Sequence, residues 1–296
     1  MILMGARGRA GAARRAVLGA AQAILALVFV TGCATTPPPG LPPELPPGLP
    51  PGLPTTPASA LVLGEASPPA SPLTLRDAYP FVALGEREPV AGAERPGSDG
   101  ALVSRWEVLD RSLEGREVRE VREERTTSGP GQWRVRTIID GHTEAIEERT
   151  IRLDPARDGL VLAESLQHER GVRVVMTPPP LAMPSDLAPG APFVQTMGLR
   201  MPLLENPRRI RAQGTGDMTL EHDADQPLTL DGRVIRCRRL REVFVTAVPP
   251  ARAVRTTERW FAPGLGLVAE RWREEVRVLG VVTERTERTI RLIPAP

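Results

Sequence analysis

The chain contains no lysine, so all 38 of its basic residues are arginine, and asparagine occurs once, at Asn206. With 33 prolines and 27 glycines, this is the signature of a GC-rich coding bias, and the arginine content is not evidence of phosphate recognition. Aromatic residues make up only 3% of the sequence, so a core must be built mostly from Val, Leu, Ile and Ala. There are three histidines (His142, His168, His222) and two cysteines (Cys33, Cys237). They form no HExxH and no CxxC, which removes the common zinc and redox signatures. No GxSxG elbow is present, and no glycine-rich loop opens a helix, so serine-hydrolase and phosphate-cradle chemistry lack their local marks.

The formal charge of +2 is carried by the first residues. Arg7, Arg9, Arg14 and Arg15 face no acid before Cys33, and without them 34 basic residues stand against 36 acidic ones, a net of −2. A near-neutral body argues against nucleic acid as a partner, since a phosphate backbone demands a basic face.

The amino terminus has the parts of a secretory signal: a basic start, an apolar run from Ala16 to Val30, then small residues. The run is short for a membrane span, which takes about 20 apolar residues. Arg14-Arg15 lacks the flanking residues of a twin-arginine signal and reads as a plain basic region. Val30-Thr31-Gly32-Cys33 resembles the lipobox of bacterial lipoproteins. The resemblance implies a signal peptide over 1–32, cleavage after Gly32 and acylation of Cys33, with more than one acyl chain giving firm anchorage. Ala34, where an Asp would favour inner-membrane retention, implies an outer-membrane address facing the periplasm.

From Cys33 to Pro72 the expected linker repeats Leu-Pro-Pro after Gly or Glu. Proline fixes φ and removes amide donors, so this stretch suits an extended polyproline II spacer and no packed structure. A PxxP ligand for a partner groove is the alternative.

From Leu73 to Pro296 short runs rich in Val, Ile, Leu, Thr and Trp alternate with Arg and Glu. Candidate strands lie at 101–109, 132–140, 142–153, 159–168, 171–176, 233–248, 251–262, 266–278 and 281–293. Residues 115–127 place Val118 and Val121 three apart and are read as strand from context. Close turns at Asp140-Gly141, Asp158-Gly159, Asp231-Gly232 and Pro263-Gly264 argue for an all-β antiparallel meander with one dry and one wet face. Trp106, Trp133, Trp260 and Trp272 are assigned to the dry face, as core anchors or, secondly, as an apolar ligand face. The charged face, with Arg and Glu interleaved as in 283–292, is read as a solvated sheet face. The proline-rich stretch 177–193 is expected to cross an open end of the sheet, with Leu181, Met183, Leu187 and Phe193 plugging or covering it. Glu221-His222-Asp223-Ala224-Asp225 is the one clustered ligand set and reads as a solvated loop, with no metal assigned.

Three stretches, PPPLAMPSDLAPGAPF, LDGRVIRCRRLREV and RWFAPGLGLVAER, resemble motifs of bacterial periplasmic lipoproteins of poorly defined function, over about residues 79–293. The resemblance implies a curved antiparallel sheet similar to the unclosed half-barrel of the LolA/LolB lipoprotein carriers. It supplies no catalytic residues. Cys237 falls on a structural position of the second motif, and with Cys33 lipidated it has no partner for an intrachain disulfide. The expectation is a lipid-anchored envelope protein, with no cofactor, whose β domain binds an apolar ligand or a lipid-modified partner. A structural or assembly role beside an envelope protein is the alternative, and an enzyme without a recognisable motif ranks third.

Overall fold

The computed structural model describes residues 61–79, 95–96, 102–109, 118–140 and 142–293. Val30, Thr31, Gly32, Cys33 and the proline-rich repeats lie outside the described residues. No helix among the described residues is long and apolar enough to cross a membrane.

Nineteen strands and one short helix are found among the described residues. The amino-terminal arm holds β1 (Val62–Leu63), β2 (Leu73–Thr74) and α1 (Leu75–Ala78). A two-residue β3 (Arg95–Pro96) precedes β4 (Leu102–Val108), β5 (Glu120–Gly129), β6 (Gln132–Ile139), β7 (Glu147–Asp154), β8 (Gly159–Gln167) and β9 (Val172–Thr177). The crossing segment gives only β10 (Leu181–Pro184) and β11 (Asp186–Leu187). Then follow β12 (Phe193–Pro202), β13 (Ile210–Asp225), β14 (Leu228–Leu230), β15 (Arg233–Ile235), β16 (Arg238–Val248), β17 (Ala251–Ala262), β18 (Gly266–Val278) and β19 (Val281–Leu292).

The all-β antiparallel expectation holds, but the sheet is not an open half-barrel. Twelve strands run in the order β8-β7-β6-β5-β4-β19-β18-β17-β16-β13-β12-β9, and β9 returns to β8. Two seams make the closure: Ile290–Leu292 of β19 pair with Trp106–Val108 of β4, and β9 pairs with β8 through Val172–Val174 and with β12 through Val175–Thr177. Eight strands already give an interior that side chains can fill, so a twelve-stranded ring needs long side chains to occupy its lumen. With aromatics scarce, arginine and glutamate supply much of that length.

Both ends of the chain's described part are tied to the ring. Residues 61–72, expected as linker, join the fold: β1 pairs with β14, and the Gly64 amide donates to the Pro227 carbonyl (2.8 Å). The β1-β14-β15 sheet lies over the outer face of the barrel, where Leu61 and Leu63 pack beside Trp260. One barrel end is capped by β2 and α1. Thr74 and Asp77 make a capping box, Asp77 pairs with Arg238 (2.5 Å), and Leu73 is fully buried. The crossing segment covers the same region, with Leu181, Met183 and Leu187 buried and Phe193 partly buried. Gln195 clamps it by donating to, and accepting from, the backbone of Leu181 (2.8 Å each).

Gly214 of β13 permits the ring to tighten at one point. A Cβ there would lie 2.0 Å from the carbonyl oxygen of Ala247 on β16, whereas one at Gly198 of β12 would meet its nearest atom at 3.6 Å. Gly214→Ala is therefore expected to cost about 2–3 kcal/mol and Gly198→Ala less than about 1 kcal/mol. Urea denaturation midpoints of the two variants check the contrast, and equal midpoints would count against the close approach.

Candidate functional site

Side-chain alternation decides what the lumen contains. On β16, Leu240, Glu242, Phe244, Thr246 and Val248 share the inner phase; on β17 the inner residues include Arg255, Thr257, Arg259 and Phe261. On β18 they include Glu270, Trp272, Glu274 and Val276. The inner face is therefore not dry. It carries charged side chains among apolar ones, which corrects the division into one dry and one wet face.

These charges meet across the lumen. Arg259 donates Nη1–H to Glu242 Oε2 (2.8 Å) and Nε–H to Glu270 Oε2 (2.7 Å), and all three side chains are nearly inaccessible. Opposite, Arg149 of β7 pairs with Glu123 of β5 (2.5 Å), and the Ser165 hydroxyl donates to Glu147 Oε1 (2.8 Å). Burial would raise the Glu242 carboxyl, but Arg259 and Arg255 together hold it below its ordinary value. Burial raises Glu123, and the nearby Glu270 and Glu147 carboxylates push the same way against the pull of Arg149. Arg259 is held firmly charged: burial works against it, and Glu242 and Glu270 more than offset the cost. Burial lowers Arg125 to about 9. Farther along the lumen, Arg255 and Arg288 lie 5.7 and 5.9 Å from the Trp272 ring, and Arg255 Nε–H donates to Thr257 Oγ1 (3.1 Å).

A cavity of about 140 Å³ remains between the charged network and the capped end. Glu123, Arg125, Arg149, Glu242, Arg259 and Glu270 form its polar wall. Its apolar wall comes from β4 to β8, β13 and β17 to β19, and Tyr79 and Ala182 of the two capping segments also line it. Tyr79 stacks obliquely on Phe261 (6.2 Å between centroids), and its enclosure raises the phenol pKa. Among the described residues, buried polar atoms on lining residues without a hydrogen-bond partner include Glu270 Oε1, the indole Nε1–H of Trp106 and the Nε–H of Arg149. Groups of that kind are normally satisfied by ordered water or by a ligand.

The four tryptophans do not share one face. Trp106 lines the cavity, Trp133 packs in the apolar core, and Trp272 lies farther along the lumen between arginines. Trp260 points outward and is sealed under the small sheet, with its Nε1–H donating to Gln226 Oε1 (3.0 Å). Cys237 is buried in the connection between β15 and β16, not within a strand, and burial pushes its thiol up to about 12. The stretch Glu221–Asp225 is the end of β13 and not a loop. Its alternation sends His222 inward, fully buried, with Nε2 3.1 Å from Asp225 Oδ1, while Asp223 pairs with Arg239 (2.9 Å). His222 does not line the cavity, and no cluster among the described residues has the composition to hold a metal ion.

The polar lining residues were missed because Arg/Glu interleaving was read as solvated throughout. Phase is the signal that separates them. Glu242 lies in step with Leu240 and Phe244, Arg259 with Phe261, and Glu270 and Glu274 with Trp272 and Val276. These charges share the phase of bulky apolar neighbours and point into the lumen, whereas the Arg271–Glu258 and Arg134–Glu148 pairs lie on the outside, Glu258 in step with the outward Trp260. An outer face of such ladders is unlike the apolar band of a lipid-facing barrel.

Glu274 gives the lumen a pH response. Burial raises its carboxyl to about 7, against the pull of Arg255 and Arg170. An unfolded glutamate ionises near 4.3, so between there and pH 7 the unfolded chain has lost a proton that the folded chain keeps. Stability therefore falls as pH rises through that window and levels off above it, by roughly 3–4 kcal/mol in all. Glu274→Gln should raise stability by about 2–3 kcal/mol at pH 8 and change it little at pH 4.5. Denaturant titrations at the two pH values test this, and a variant that loses stability at pH 8 would refute it.

Fold and site define a twelve-stranded antiparallel barrel with a charge-networked lumen and a small mixed cavity under its cap. No family model, curated protein or solved structure matches the chain.

Proposed function

We propose that the chain is a lipid-anchored cell-envelope protein whose barrel binds a small amphipathic molecule in the lumen cavity. The carrying observation is the pairing of an apolar wall with partnerless polar atoms, among them Glu270 Oε1 and Trp106 Nε1–H, on residues lining the same space. A ligand with one hydrogen-bond donor, one acceptor and an apolar body would satisfy both. The volume limits its size: about 150 Å³ accommodates a molecule like benzene, whereas an acyl chain needs far more. A cavity of that size suits a small ligand better than a lipid or lipid-modified partner. The same side chains that shrink the cavity favour a second reading, in which the barrel is a rigid envelope module with no ligand.

A fragment screen by ligand-detected NMR on the purified chain distinguishes the two. Saturable binding of small phenols, anilines or hydroxylated rings is expected, and Leu162→Trp, which fills the cavity, should abolish it. Failure of every fragment at millimolar concentration, or binding untouched by Leu162→Trp, would favour the rigid module. The anchor is tested separately. Cys33→Ser should abolish acyl labelling and release the chain from membranes, and membrane retention without acylation would instead favour an uncleaved amino-terminal span.

A further inference from the structure

The barrel wall is uneven along β19. Only Ile290–Leu292 pair with β4, and the Leu109 amide donates to the Thr289 carbonyl (2.9 Å). Before that point β19 continues as one side of the β18–β19 hairpin, and among the described residues no strand pairs with its other edge over 281–287. Such an edge offers a row of backbone donors and acceptors to another strand.

The sequence of this edge is complementary to itself. Residues 283–289 read Thr-Glu-Arg-Thr-Glu-Arg-Thr. Laid antiparallel on a second copy with Thr286 opposite Thr286, it places Arg285 opposite Glu287 and Glu287 opposite Arg285. The rows already built inside one chain fit the same register. Arg273 of β18 pairs with Glu287 (2.9 Å), and Glu275 pairs with Arg285 (3.0 Å), each as direct cross-strand neighbours. A second copy extends them into rows of alternating sign: Arg273, Glu287, then the second copy's Arg285 and Glu275. The side chains are available for this, since Arg285 is 74% and Glu287 47% exposed.

We infer that the exposed β19 edge is a homodimer interface, formed by antiparallel addition of a second copy across a two-fold axis at Thr286. Register is fixed by the charge rows, because opposite charges directly across an antiparallel pair attract and like charges repel. A slip by one residue would match the outward face of one copy to the inward face of the other. A slip by two, which keeps the faces matched, sets Glu287 opposite Glu287 or Arg285 opposite Arg285. The interface is independent of the lumen cavity and of the reading built on it.

The experiment is a charge exchange on the full chain in detergent, followed by sedimentation equilibrium. The unmodified chain is expected to dimerise. Arg285→Glu places Glu opposite Glu287 of its twin, and Glu287→Arg places Arg opposite Arg285, so each alone should weaken dimerisation at least tenfold. Mixing the two variants restores both opposite-charge pairs and should recover a heterodimer within about threefold of the original affinity. Directly opposed residues in an antiparallel pair have Cα atoms about 4.5–5.5 Å apart, within disulfide range. In a Cys33→Ser background, Thr286→Cys should therefore give a disulfide-linked dimer on mild oxidation, and Val194→Cys on exposed β12 should not. A chain that stays monomeric, variants that do not heterodimerise on mixing, or no preference for cross-linking at 286 would overturn the inference.

Discussion

Arg259→Met is expected to destabilise the barrel by about 4 kcal/mol or more at pH 7.5. Among the described residues, its guanidinium alone hydrogen-bonds both Glu242 (2.8 Å) and Glu270 (2.7 Å), and neither carboxylate reaches solvent appreciably. Removing one partner of a buried ion pair leaves an uncompensated charge, which typically costs about 3–5 kcal/mol. Here one substitution strands two carboxylates. Lysine is a poor replacement, because a single ammonium does not reproduce the two-pronged fork that joins β16 to β18.

The loss should depend on pH in a stated direction. In the unmodified chain Glu242 is held below its ordinary value, so its favourable contribution is present above about pH 4.5 and is lost as pH falls through its folded value. Without Arg259 the stranded carboxyls fold more easily when protonated. The penalty is therefore largest at pH 7.5 and smaller at pH 4.5. Urea denaturation at both pH values measures it. Arg259→Met combined with Glu242→Leu and Glu270→Leu removes all three charges and should recover most of the loss, since a buried triad replaced whole by apolar groups is often neutral or better. A single-variant loss under about 1 kcal/mol, or a triple variant worse than the single, would show that the network does not hold the lumen together.

Local side-chain pattern marks some of these strands plainly and leaves others unmarked. The hairpin strands β17 and β18 were read to the residue, because alternation and the Pro263-Gly264 turn mark them plainly. β12 and β13 were not recognised. Gly198, Gly214 and Gly216 and the polar residues on both faces erase the alternation, although Met197, Leu199, Met201, Met218 and Leu220 keep the inner phase. Closure was invisible for a different reason. The two seams join strands distant in sequence, β4 to β19 and β8 through β9 to β12, and no local pattern records such pairing. The run 233–248 was read as one strand, yet it breaks at Arg236-Cys237, so that β15 can fold back on β14 while β16 enters the ring. The covering role of the crossing segment was legible, because proline bars it from a full ladder while Leu181, Met183 and Leu187 demand burial.

Trp260→Ala is expected to cost about 3–5 kcal/mol and, before global unfolding, to loosen the amino-terminal arm. Trp260 is fully buried although it points away from the lumen, since the β1-β14-β15 sheet seals it against β17 and β18. Its indole N–H is held by Gln226 Oε1 (3.0 Å), and Gln226 Nε2–H in turn donates to the Gly64 carbonyl (3.0 Å). The guanidinium of Arg271 lies 5.8 Å from the ring. One side chain thus links the outer barrel wall to the residues through which any tether would pull. Truncation removes the ring's contacts, opens a cavity and strips Gln226 of its best donor. Trp260→Phe keeps most of the volume and should lose about 1–1.5 kcal/mol, the worth of the hydrogen bond. The readout that separates local from global effects is limited proteolysis followed by mass spectrometry. In Trp260→Ala, cleavage within 61–71 should appear at denaturant concentrations where tryptophan emission still reports an intact barrel, and in Trp260→Phe it should not. If arm and barrel become susceptible together in both variants, the small sheet is an inseparable part of the barrel and not a clasp between the amino-terminal arm and the wall.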